Sequence, residues 1–208
     1  MKNKKAMYAL SYGLFVLTAQ QGEKDNGCII NTATQVTTSP NRLTIAVNKA
    51  NFTHDMILAD GRFNLSVLSE KADFSLFQRF GFQSGRAVDK FDGFWRSAWR
   101  ADNGVTYVKE GVNAWLSCQV VSATDLGSHT LFLADVTDGD VLSDDPSATY
   151  AYYQAHIKPR PQAASAPTGK KRWVCKVCGY VYEGDELPAD FICPLCKHPA
   201  SDFELVTG

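Results

Sequence analysis

Residues 12–68 read YGLFVLTAQQGEKDNGCIINTATQVTTSPNRLTIAVNKANFTHDMILADGRFNLSVL. Short β-branched and aromatic runs alternate with turn residues, the pattern of antiparallel strands rather than of long amphipathic helices. Residues 14–20 form an apolar strand candidate, Lys24-Asp25-Asn26-Gly27 carries an Asn-Gly turn signal, and residues 28–36 return as its partner. Residues 43–47 and 63–68 are further short strands. Thr53 stands where it could cap a helix running to about Asp60, and a second helix is expected over residues 74–80.

Downstream, residues 114–124 and 129–136 read as a second long hairpin across Asp125-Leu126-Gly127-Ser128. Hairpins interrupted by short helices imply a mainly β fold, a closed antiparallel barrel with helical insertions. No G-x-G-x-x-G run lies between a strand and a helix, which excludes the usual dinucleotide fingerprint.

The chain has 208 residues, 45% of them hydrophobic, and a formal net charge of −1. That length suits a core domain with an appendage, and the near-zero charge gives no reason to expect nucleic acid as a partner. The lysines at 2, 4 and 5 precede an apolar stretch, but Ser11, Tyr12 and Gly13 interrupt it, so neither a secretory leader nor a membrane span is expected. The expected address is cytoplasmic. Residues 157–171, IKPRPQAASAPTGKK, have no apolar period and read as a tether between a domain at 1–156 and another at 172–208.

The last segment carries the strongest chemical signal. Cys175-x-x-Cys178 and Cys193-x-x-Cys196 are two knuckles that can place four thiolates at tetrahedral corners around one metal ion. Four soft ligands suit iron or zinc and leave no open coordination position, so the site either holds structure or carries electrons. His198 lies close by in sequence, but with four cysteines present it reads as a surface histidine. Cys28 and Cys118 sit in apolar runs and read as buried free thiols.

Between and after these ligands stand Gly179-Tyr180-Val181-Tyr182, Cys193-Pro194-Leu195-Cys196 and Phe203. From Trp173 to Gly208 this resembles rubredoxin, in which C-x-x-C-G-Y and C-P-x-C bracket one iron shielded by aromatics such as Trp173, Tyr180, Phe191 and Phe203. The loop between knuckles is short, as in the version fused to rubrerythrins. The preceding barrel resembles the flavin reductase family, whose split β-barrel binds FMN at a dimer interface. SGRAVDKF (residues 84–91) and GSHTLFLADV (residues 127–136) fit the same pattern.

The flavin reductase resemblance implies an FMN cradle at Asn31, Thr32, Ala33 and Thr34, and at Asn48, Lys49, Asn51 and Thr53. Hydroxyls, a cation and a helix start in that order are the groups a flavin phosphate needs. Ser84-Gly85 and Asp89-Lys90-Phe91 match a family loop near the flavin. His129, in Gly127-Ser128-His129 where the family has Gly-Asp-His, is the candidate for positioning the nicotinamide.

Taken whole, the chain is similar to the high-molecular-weight rubredoxins, a split barrel followed by a rubredoxin-like domain. The resemblance implies hydride transfer from NADH to FMN, passage to one iron at Cys175, Cys178, Cys193 and Cys196, and delivery to an acceptor protein such as a flavodiiron oxygen or nitric-oxide reductase. It also implies a homodimer. The alternative is a flavin reductase that releases reduced flavin, with a zinc-ribbon-like docking module.

Overall fold

The computed structural model describes residues 4–159, 171–176, 178–194 and 198–206. Most of the expected tether, and Cys196, lie outside the described residues. The larger part contains β1 (Phe15–Gln21), β2 (Lys24–Ile30), β3 (Thr34–Thr38), β4 (Asn41–Asn48), α1 (Phe52–Asp60), β5 (Arg62–Leu68) and α2 (Phe74–Gly81). These are followed by β6 (Ala98–Arg100), β7 (Thr106–Val108), β8 (Val112–Asp125) and β9 (His129–Val141). Seven strands form one sheet in the order β2-β1-β5-β8-β9-β4-β3, and β6 pairs with β7 separately. All the ladders are antiparallel, and β2 and β3 stand at opposite ends of the order, which leaves the barrel split rather than closed by hydrogen bonds.

Burial follows the alternation of the strands. In β4, Leu43, Ile45 and Val47 are buried while their neighbours are not. They meet Leu17 of β1, Phe63 and Leu65 of β5, Phe132 of β9, and Met56 and Ile57 of α1 in one core. A second core joins Leu76, Phe77 and Phe80 of α2 to Phe91 and Tyr153. Each such side chain contributes roughly 1.5–3 kcal/mol by leaving water. No described helix is long and apolar enough to cross a membrane.

The first hairpin turns elsewhere than the Asn-Gly signal suggests. Gln21 pairs with Lys24 across Gly22 and Glu23, with Gly22 at φ +60°, while Asn26 and Gly27 are buried inside β2. Gly22 satisfies the positive φ of a tight hairpin turn. Gly27 is there for space: a Cβ would sit 3.1 Å from the Leu17 carbonyl, from Phe80 Cδ1 and from Thr18 Cγ2. Gly27→Ala is therefore expected to destabilise the barrel by about 1–3 kcal/mol through overpacking. A denaturant midpoint equal to wild type would remove Gly27 from this role. β2 also ends at Ile30, so residues 31–33 form a break before β3 rather than a continuous strand.

The helix expected to be capped by Thr53 begins two residues earlier, at Phe52. Asn51 is the N-cap, in extended conformation, and Thr53 lies in the first turn, fully buried. A buried hydroxyl that accepts from Asn26 Nδ2 at 3.0 Å serves packing across to β2 rather than the helix end.

The C-terminal part is a three-stranded antiparallel sheet in which β10 (Arg172–Cys175) lies between β11 (Val181–Glu183) and β12 (Phe203–Val206). Its small core consists of Cys175, Cys178, Cys193 and Phe203, with Trp173, Tyr180, Tyr182, Leu187 and Phe191 packed against them. So few residues cannot bury enough surface to be stable alone, and a bound metal normally makes up the deficit.

Candidate functional site

The sulfur cluster is built by backbone bonds that curl each knuckle. Gly179 N donates to Cys175 O at 2.8 Å with Gly179 at φ +78°, and Cys193 N donates to His198 O at 2.8 Å. The Cys175, Cys178 and Cys193 sulfurs lie within 4.8 Å of one another, and each residue is at most 1% exposed. Cys178 Sγ and Cys193 Sγ are 3.4 Å apart. Three converging buried sulfurs have no hydrophobic rationale, whereas a soft metal ion satisfies all of them. The donor set therefore fits iron or zinc. Aromatic rings wall the site: Phe191 lies 5.4 Å from Phe203 and 4.8 Å from Tyr182. Cys28 and Cys118 are buried free thiols, and burial pushes Cys118 up to about 12, far from reactivity.

A cleft of about 240 Å³ opens on the larger part where β2, the start of α1 and the loop after α2 meet. Asn51, Phe52 and Thr53 come from the start of α1, Ser84 and Gly85 from the loop, and Lys90 from the segment beyond it. Gly85 must be glycine, because a Cβ there would fall 2.1 Å from Asn26 Oδ1. Lys90 is only 3% exposed, and its Nζ donates to Gly27 O at 2.8 Å and to Phe80 O at 3.1 Å. An ammonium has three N–H donors, and the third meets no protein acceptor among the described residues. Burial holds Lys90 down to about 8, opposed by the nearby Cys28 thiol.

Other cations gather at the same rim. The Arg86 guanidinium and the Lys24 ammonium each lie 4.9 Å from the Phe52 ring centroid, and Arg86 also pairs with Asp55. His54 and Arg86 hold the Asp55 carboxyl below its ordinary range, the His54 hydrogen bond acting most strongly. With the positive end of α1 and a spare ammonium donor, the cleft fits an anionic group such as a nucleotide phosphate.

The residues expected to cradle a flavin do not all meet there. Asn51 and Thr53 line this cleft, whereas Ala33 and Thr34 line a separate apolar pocket with Phe15, Leu43 and Leu116. Thr32 Oγ1 donates to Ala46 O at 2.7 Å and stitches the chain to β4. Asn48 Oδ1 accepts from Ala50 N in a turn. Lys49 Nζ pairs with Asp125 Oδ1 at 2.7 Å, and Asn31 is half-buried at the end of β2.

His129 pairs opposite Asn48 in the β4–β9 ladder and its Nδ1 lies 2.9 Å from Ser128 Oγ. The segment 48–53 is thus brought beside the 125–129 turn, as Lys49 N donating to Ser128 O also shows. Asn26, Cys28 and Phe82 also line the cleft. Asn26 was obscured by its apparent turn motif, and Phe82 gave no signal at all. His198, read from sequence as a surface residue, is half-buried and lines the same cleft.

Residues 7–160 match the family described as flavin reductase like domain, and residues 173–204 match the rubrerythrin, rubredoxin-like domain. The chain is 33% identical to the high molecular weight rubredoxin of Moorella thermoacetica over 97% of its own length and 99% of that protein. It is 35% identical to the ferric-chelate reductase (NAD(P)H) of Archaeoglobus fulgidus over 72% of its length and 87% of that protein. The fold is similar to that of the Streptomyces globisporus NADH:FAD oxidoreductase SgcE6, with a TM-score of 0.64, 23% identity and coverage of 78% of this chain and 93% of that one.

Proposed function

Because the chain belongs to the flavin reductase like family and, along its whole length, to the high molecular weight rubredoxins, we propose that it draws electrons from NADH at an FMN-bearing cleft and passes them to a single iron. From the iron they go to an acceptor protein, of which a flavodiiron oxygen or nitric-oxide reductase is the proposed example. The observation that carries the reading is that an anion-accepting cleft and a buried cluster of thiols occur in one polypeptide, with His198 of the cysteine-bearing part lining the cleft. A bound flavin supplies the chemistry the side chains lack, accepting two electrons as hydride from a nicotinamide and releasing them singly to a metal that takes one.

In this reading Lys90, Asn51 and the start of α1 hold the phosphate, with Thr53 fixing Asn26 beneath it. Asn31, Thr32, Ala33, Thr34, Asn48 and Lys49 shape the remaining cradle, and His129 orients the nicotinamide. Because Ala33 and Thr34 line a different pocket from Asn51, the cradle is proposed to be completed by a second copy of the chain, consistent with a homodimer. Cys175, Cys178, Cys193 and Cys196 hold the iron; four thiolates keep nearly the same tetrahedron in both of its oxidation states, so little reorganisation accompanies transfer. Cys28 and Cys118 are buried thiols and the knuckle cysteines converge as metal ligands, which supports a reducing compartment, and the cytoplasm is proposed.

Elemental and flavin analysis of the purified protein tests this reading. It requires one iron and one flavin per chain, with visible ferric-thiolate absorption. Zinc in place of iron would overturn it in favour of a reductase that releases reduced flavin.

A further inference from the structure

One side chain belongs to both halves of the molecule. Phe82, the residue that ends α2, packs against the barrel's second core and also against the core formed by Cys175, Cys178, Cys193 and Phe203. It lines the cation-rimmed cleft as well, and an adjoining cavity shared with Phe77 and Tyr153. Its ring is steadied from the barrel side: Phe74 is 5.9 Å away by ring centroids, and Phe77 lies 4.3 Å from Tyr153. Arg79, one turn earlier, anchors α2 by donating to the Lys90 and Asp92 carbonyls at 3.0 Å. From the other side His198, whose carbonyl accepts from the Cys193 amide, reaches the cleft lining.

We propose that the cysteine-bearing part of this same chain docks at the mouth of the cleft on the loop after α2, and that Phe82 is the positioning residue that sets its sulfur cluster against the cleft. The physics is that of a tethered partner. A short connection supplies high effective concentration but no geometry. Interfaces between domains of one chain are small and allow relative motion unless an apolar anchor fixes them. A half-buried aromatic ring packed against both cores provides that anchor. It also holds the cluster beside the cleft through packed contacts, where one electron would pass from a reduced flavin held in the cleft to ferric iron, leaving ferrous iron and a flavin oxidised by one electron. The role in transfer rests on the function proposed above, whereas the docking itself does not.

The test uses the full-length protein with iron and flavin bound, carrying a photo-crosslinking benzoylphenylalanine in place of Phe82. Illumination is expected to join position 82 to peptides within residues 172–206 in a product that runs as a single chain. Crosslinks confined to the barrel, or joining two chains, would overturn the proposal. In parallel, the flavin is reduced by a light flash with EDTA as the sacrificial electron donor and without nicotinamide, and the iron band is followed. F82A is expected to slow its bleaching at least tenfold and F82L to restore most of the rate. Equal rates in wild type and F82A would remove Phe82 as a positioning residue. Crosslinking without any passage of electrons would sustain the docking and overturn the electron-transfer reading instead.

Discussion

Replacing Cys178 by Ser is expected to strip the metal from the C-terminal part while NADH still reduces the flavin. Cys178 Sγ lies 3.4 Å from Cys193 Sγ in a cluster with almost no solvent contact, so no water can replace the lost thiolate without opening the core. Disturbing even a residue behind a metal ligand costs about 10–100-fold in affinity, and losing a ligand costs more. In a part this small, metal affinity is also folding free energy, about 10–16 kcal/mol for comparable zinc-binding peptides. The serine variant is therefore expected to lose the ordered sheet β10–β12 together with its metal. The cation side of the cleft is built by Asn26, Thr53 and Lys90, whose partners all lie in the barrel. Metal content and single-wavelength flavin kinetics check both halves of this expectation, and a variant that lost flavin reduction as well would contradict the division of labour.

Lys90→Met is expected to weaken flavin binding by about 10–100-fold. A charge-assisted hydrogen bond in a dry site contributes about 1.5–3 kcal/mol, and each 1.4 kcal/mol is tenfold in affinity. Fluorescence titration with FMN reads the change. Lys90 also makes a pH signature. Its folded value of about 8 lies below its ordinary 10.5, so below pH 8 it is charged whether folded or not. Between these values the unfolded chain retains the proton and the folded one does not, and stability rises with pH. Burial raises Cys28 above its ordinary 9.0, which works in the opposite direction from about pH 9 upward. Between pH 8 and 9 wild type should therefore gain stability relative to K90M. Over the same window FMN affinity should fall in wild type, as the ammonium loses its charge, and stay flat in K90M. Parallel pH profiles for the two proteins would take Lys90 out of the anion site.

The parts legible in the sequence are those written in local chemistry. The knuckles at Cys175 and Cys193 announce themselves by spacing, and the β8–β9 hairpin by apolar runs flanking Gly127, which adopts the positive φ its turn needs. Asn26-Gly27 misled because the pair is a turn signal only where no tertiary demand overrides it. Here Phe80 and Leu17 press on Gly27, and Asn26 is needed under Gly85 and against Thr53. Lys90 was visible only through family resemblance, since a buried ammonium looks like any surface lysine until the Gly27 and Phe80 carbonyls close around it. Phe82 carries no sequence signal, and His198 reads as a surface residue although it is half-buried in the cleft lining. Their contacts join segments on either side of the tether, and no local pattern encodes which face one half of a chain presents to the other.

In the proposed function one molecule both collects electron pairs and releases them singly. Anaerobic mixing with excess NADH, following the flavin and iron bands together, tests it most directly. Flavin bleaching is expected first and iron bleaching after it, at a first-order rate that does not change when the protein is diluted. An iron phase that slows in proportion to dilution, or iron that stays ferric once the flavin is reduced, would contradict it.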